Sequence, residues 1–145
     1  MSRLHVHIAV ADIDKNILFY SSLFGSEPSM VKPDYVKWEL KNPSVNFAIS
    51  THGKTPGLDH IGIQAENEAE LQAIRQRLEN ARIDGMAEDG TTCCYARSDK
   101  YWTSDPQGIA WESFHTLESA AVYGERPEAE TASGSCCTPN LSNCC

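Results

Sequence analysis

Between Leu4 and Val10 apolar and polar side chains alternate. Val6, Ile8 and Val10 share one face and His5, His7 and Ala9 the other, the period-two signature of a strand. The period then lengthens: Ile13, Ile17, Tyr20 and Phe24 recur at helical spacing, with Asp12 or Asp14 as a cap and Gly25 as a stop. Three short strands are expected next, near residues 28–32, 35–41 and 45–51. Lys32-Pro33-Asp34 and Asn42-Pro43-Ser44 separate them, and both carry turn chemistry.

The second half repeats that order. Leu58–Gln64 alternates, with Ile61 and Ile63 on one face and His60 on the other, and Asn67 followed by Glu70 resembles a capping box. Leu71, Ile74, Leu78 and Ala81 trace an amphipathic helix ending near Arg82. Strands are expected near 84–89, 93–103 (with a break allowed) and 109–115. The pattern therefore predicts an α+β fold of two βαβββ modules, about residues 2–52 and 57–117, inside one domain covering 1–118. His5 and His60 occupy the same place in each half. Residues 119–145 read as a mobile tail, because Pro127–Ser135 is small, polar and acidic and offers little apolar surface to bury.

Composition narrows the function classes. At 145 residues and 41% hydrophobic content the chain can bury a genuine core. A formal charge of −8 argues against a nucleic-acid backbone as partner and against a polybasic membrane anchor. No apolar run approaches the ~20 residues of a membrane span, and the opening residues lack the apolar core of a signal peptide. The expected location is the cytoplasm. All 6 cysteines come as adjacent pairs, Cys93-Cys94, Cys136-Cys137 and Cys144-Cys145. A secreted disulfide framework scatters its cysteines, so these read as free thiols suited to soft electrophiles.

The chemistry lies on the polar faces of the strands. His5 and His7 in the first leading strand, and His60 with Gln64 in the second, oppose the faces that pack on the helices. A strongly curved sheet would close those faces around a cavity. In Ile109–His115, Glu112 falls between Ala110 and Phe114 on one face, where a carboxylate needs a charged partner. A divalent metal would supply it, and two histidines with one carboxylate form an oxygen-activating Fe(II) set. Each residue also has a plainer reading: a hydrogen-bonded strand histidine, or a glutamate on a solvated edge.

Three stretches carry a resemblance. His5–Asp12, followed by Phe19-Tyr20 and Leu23-Phe24-Gly25, resembles the opening of a vicinal oxygen chelate protein. Asp59-His60-Ile61-Gly62 resembles the start of the second module of that superfamily, and Asp105–Glu112 its closing turn and strand. The resemblance covers about residues 2–117. It implies paired βαβββ modules, with curved mixed sheets around a metal held by His5, His60 and Glu112; His7 is the weaker candidate at the first position. Glyoxalase-type members take a fourth protein ligand from the last strand of the first module, where this chain offers Asn46.

Gly90–Ala96, with Cys93-Cys94 at its centre, and Lys100-Tyr101-Trp102 resemble the carbon–arsenic lyase group. Taken alone, the doublet reads equally as two small buried apolar residues. Within the resemblance it is a chelate, because a trivalent organoarsenical is soft and has two exchangeable positions for two adjacent thiolates. Neighbours on an ideal strand face opposite ways, so the pair is expected in a loop or bulge. The implied function is cleavage of the carbon–arsenic bond in trivalent aromatic or methyl arsenicals, with Fe(II) as cofactor and O₂ as cosubstrate. Cys93 and Cys94 would bind substrate, while Lys100 and Tyr101, with His115 behind them, are candidates for proton movement. A non-enzymatic binder of thiophilic metals and a glyoxalase-type isomerase or thiol transferase are the alternatives. The expected state is a monomer or homodimer with the site completed within one chain.

Overall fold

Asp12 joins the first strand to the first helix through one carboxylate. β1 (Arg3–Ala9) ends just before it, and its Oδ1 accepts from the Lys15 backbone N–H at 3.0 Å to start α1 (Ile13–Phe24). Gly25 closes that helix in the left-handed conformation at φ 61°, a geometry glycine adopts without steric cost. β2 (Met30–Val31), β3 (Tyr35–Lys41) and β4 (Ser44–Ser50) complete the first module. The second follows with β5 (Gly57–Gln64), α2 (Glu68–Asn80), β6 (Met86–Cys93), β7 (Ala96–Ser104) and β8 (Ala110–Ser119). The computed structural model describes residues 1–53 and 55–124.

The strands form one mixed eight-stranded sheet in the order β2-β3-β4-β1-β5-β8-β7-β6. Its symmetry is that of the two modules. Each leading strand pairs in parallel with the last strand of its own module, β1 with β4 and β5 with β8, and the leading strands pair antiparallel with each other. That central pairing places His5 opposite Gly62 and His7 opposite His60. On one side of Gly62 lies His5, and on the other Glu112 is its partner in β8. The register therefore sets His5 and Glu112 across one row, with His60 two residues before Gly62 on the same strand face.

The helices cover the opposite face. Ile13, Ile17, Tyr20 and Phe24 of α1 pack on Val10, Val36, Trp38, Phe47 and Ile49, the larger apolar cluster. Trp38 is fully buried, and its indole N–H donates to the Ser26 carbonyl at 3.2 Å. Leu71 of α2 packs on Ala65 and Tyr101. Among the described residues no helix is long and apolar enough to cross a membrane.

Three boundaries differ from the sequence pattern. β2 shrinks to two residues, because it is an edge strand with one neighbour. The strand expected at 93–103, with a break allowed, starts after a turn at the doublet. β6 runs to Cys93, Cys94 and Tyr95 turn with φ of 57° and 60°, and β7 leaves at Ala96. The segment expected as tail is packed at its start: Tyr123 is buried, and its ring stacks on His52 at 3.6 Å. The expectations for residues 125–145, including Cys136, Cys137, Cys144 and Cys145, lie outside the described residues.

Candidate metal centre and thiol pair

Strand alternation sends His5, His60 and Glu112 to the concave face of the sheet, and the curl of the sheet brings their side chains together. His5 Nε2 lies 3.1 Å from His60 Nε2, while Glu112 Oε2 lies 3.5 Å from the first and 3.2 Å from the second. All three residues are buried. His5 Nδ1 lies 3.1 Å from the Asn46 carbonyl, which can only accept, so Nδ1 carries the proton and Nε2 presents its lone pair to the centre. Gly62 makes the close approach feasible. A Cβ there would stand 1.8 Å from the Glu112 carbonyl oxygen, so any side chain would force β8 away from β5.

The electrostatics match a cation site. Burial, together with neighbouring His60, lowers the His5 pKa to about 4, leaving a neutral imidazole able to ligate. Burial opposes ionisation of Glu112, but the Lys100 ammonium and His60 hold its carboxyl well below the usual range. An ion about 2.1 Å from nitrogen and oxygen donors spreads them about 3.0 Å apart at right angles and about 3.4 Å at tetrahedral angles. The observed edges of 3.1, 3.2 and 3.5 Å fall in and around that interval. The donor set fits a divalent cation. His7 joins the cluster, since donor atoms of His5, His7 and His60 all lie within 4.8 Å of one another. Its Nε2, however, is 2.8 Å from Ser50 Oγ, and its buried Nδ1 makes no hydrogen bond.

The thiol pair opens onto the same space. A cavity of about 190 Å³ is lined by His5, Lys100 and Glu112 and also by Cys93, Cys94 and Tyr35. Left-handed backbone at two successive non-glycine residues turns the pair so that the two sulfurs sit 3.2 Å apart. Such a turn normally selects Asn-Gly, and non-glycine residues there cost about 1–3 kcal/mol each. Tyr95 is clamped in place, its hydroxyl donating to Asp34 Oδ1 while His52 Nε2 stands 2.6 Å from Asp34 Oδ2. Burial pushes the Cys94 thiol up to about 12, so it is protonated at neutral pH. Cys93 is engaged in a disulfide, contrary to the expectation of free thiols, and a chelate through both sulfurs therefore requires reduction first.

The remaining candidates separate by strand face. Lys100 faces the cavity and its Nζ is 2.6 Å from Glu112 Oε1. Tyr101, its neighbour, faces the other way and packs on Ala65, Leu71 and Leu78 beneath α2. Adjacent residues of one strand cannot both reach the centre, which gives Tyr101 a packing position in place of the catalytic one expected. His115 likewise alternates away from Glu112 and lines a separate pocket with Met1, Arg3 and Glu66. Asn46 contributes its carbonyl to His5 and its side-chain N–H to Gln64 Oε1 at 3.0 Å, while its buried Oδ1 makes no hydrogen bond. Asp34, His52 and Tyr123 had no signal in the sequence beyond their polarity, because their meeting is entirely long-range.

Residues 3–113 match the model of the Glyoxalase/Bleomycin resistance protein/Dioxygenase superfamily. The chain belongs to that superfamily. A relative from Bacillus sp. (strain MD1), named trivalent organoarsenical cleaving enzyme, is 39% identical across 100% of this chain and 99% of its own. The cadmium-induced protein CadI of Mycobacterium bovis is 33% identical over 100% of this chain and 93% of its own. Homoprotocatechuate 2,3-dioxygenase from Arthrobacter globiformis shares the superfamily fold at a TM-score of 0.60 and 16% identity. That likeness covers 82% of this chain but 37% of the dioxygenase.

Proposed function

We propose that this protein cleaves the carbon–arsenic bond of trivalent organoarsenicals in a reaction dependent on Fe(II) and O₂, releasing arsenite. The observation that carries this reading is one cavity lined by Cys93 and Cys94 together with His5 and Glu112 of the candidate triad. The name of the Bacillus relative supports the substrate class.

The roles follow from the donors. With Cys93 reduced, two thiols displace two hydroxides from an organoarsenous acid, each thiol proton leaving with hydroxide as water. Arsenic stays trivalent and is held by two sulfurs. Such a chelate fixes the attached carbon beside the triad and replaces a bimolecular encounter with a positioned one. His5, His60 and Glu112 would hold Fe(II), which supplies activation of O₂ when bound. Tyr35, His5 and Glu112, all buried, line the cavity. The balance closes simply for a methyl substituent, since methylarsonous acid and one O₂ equal formaldehyde and arsenous acid in atoms and electrons. Lys100, at 2.6 Å from Glu112, is the cavity cation that would face developing negative charge.

The test is anaerobic reconstitution of the reduced protein with Fe(II), then arsenite release from a trivalent methyl or phenyl arsenical with and without O₂. The expected result is arsenite formed in step with O₂ consumed. Tight arsenical binding without arsenite would instead assign the chain to thiophilic-metal binding, a role consistent with the name of the cadmium-induced relative. Release that ignores O₂ would point to metal-dependent isomerase or transferase chemistry.

A further inference from the structure

The two oxygens of Glu112 sit in different surroundings. Oε2 faces the histidine nitrogens at 3.2 and 3.5 Å, whereas Oε1 lies 2.6 Å from Lys100 Nζ. We propose that Lys100 is a positioning residue that restricts Glu112 to one metal-facing oxygen, keeping three positions of a six-coordinate ion open to ligands from the cavity. This inference rests on the assignment of His5, His60 and Glu112 as the metal ligands.

Three features support it. Lys100 cannot easily leave: its side chain is 4% exposed, and its Nζ lies 5.7 Å from the centre of the Trp102 ring. Its withdrawal would strand a buried ammonium without its counter-charge. Second, a carboxylate that turned both oxygens onto the ion would drag that buried ammonium toward a second cation, where like charges repel. Third, His7 and Asn46 each have a polar group engaged elsewhere, although His7 Nδ1 and Asn46 Oδ1 make no hydrogen bond. His7 Nε2 is 2.8 Å from Ser50 Oγ, and Asn46 supplies its carbonyl to His5 and its amide N–H to Gln64. The consequence is a cation with three protein ligands and an ammonium beside it, a combination that favours small anionic or polarisable ligands in the open positions. The thiol pair lines the same cavity, so an arsenical held there would reach an ion with room for another reactant.

Mn(II) is the probe, because water bound to it is counted by water-proton relaxation and by ¹⁷O-water broadening of its EPR lines. The full-chain protein with Mn(II) alone is expected to hold about three waters, the remainder of six-coordination after three protein donors. Lys100→Met frees Oε1, so about one water should be lost, and Mn(II) should bind about 10-fold more tightly once the neighbouring cation is gone. Lys100→Gln keeps a donor without the charge: the waters should stay while affinity rises, which preserves the comparison if Lys100→Met fails to fold. Unchanged hydration and affinity in Lys100→Met, or a lost water in Lys100→Gln, would overturn the role of Lys100. If His60→Ala and Glu112→Gln bind Mn(II) like the parent, the triad assignment itself fails, and the inference with it.

Discussion

At the scale of single residues, the chemistry depends on atoms whose neighbours differ by an ångström or less. The sulfurs of Cys93 and Cys94 stand 3.2 Å apart because two consecutive residues accept left-handed backbone. A chelate gains from its second bond being intramolecular, so loss of either sulfur should weaken binding of a trivalent arsenical about 100-fold or more. Cys93→Ser and Cys94→Ser, each measured by calorimetric titration with a phenylarsenical under reductant, check this. Both variants should bind Mn(II) as the parent does, since neither sulfur belongs to the triad. A single-thiol variant with undiminished arsenical affinity would reject the chelate. The doublet itself was legible in the sequence, but its oxidation state was not: Cys93 is engaged in a disulfide.

At the scale of elements, the hairpin between β6 and β7 carries the cysteine pair, and Asp34, just before β3, anchors it. The Asp34 carboxylate accepts from the Tyr95 hydroxyl and meets His52. Partial burial raises its pKa, but these two partners outweigh it and leave the net shift downward. A carboxylate with a depressed folded-state pKa stabilises the fold fully above its ordinary pKa, and that contribution fades as pH falls through the lowered value. Asp34→Asn should therefore cost about 1 kcal/mol at pH 7, a modest figure because the group is partly solvated. The corresponding fall in Tm is about 3–4 °C. Calorimetry at pH 7 and below pH 3 checks the sign: the gap between parent and variant should narrow in acid. Both helices, with Asp12, Gly25 and Asn67 as their caps, follow the local pattern closely, because capping is settled within one turn of chain. Lys100 and Tyr101 are neighbours on β7, so strand alternation turns the first to the cavity and the second beneath α2.

At the scale of the whole molecule, the triad joins the halves. His5 comes from the first module and His60 and Glu112 from the second, so an ion bound there ties the modules across the β1–β5 seam. A ligand that binds only the folded state stabilises it by about 2.7 kcal/mol at a hundred times its Kd, a Tm rise on the order of 8 °C. Mn(II) or anaerobic Fe(II) should produce that rise in the parent and little or none in His60→Ala or Glu112→Ala, read by thermal melts at matched protein concentration. An equal rise in all three proteins would move the ion to another site.

Periodicity, caps and turn residues along the chain determined the two modules, the faces of their leading strands and the identity of the polar residues on them, because those signals act over a few residues. Only the tertiary structure decided that Glu112 offers one oxygen to the histidines and the other to Lys100. It also decided that the hairpin thiols share their cavity, and that Tyr123 packs beside them. These are outcomes of strand register and sheet curl, which depend on every pairing in the sheet at once and leave no trace in the spacing of neighbours.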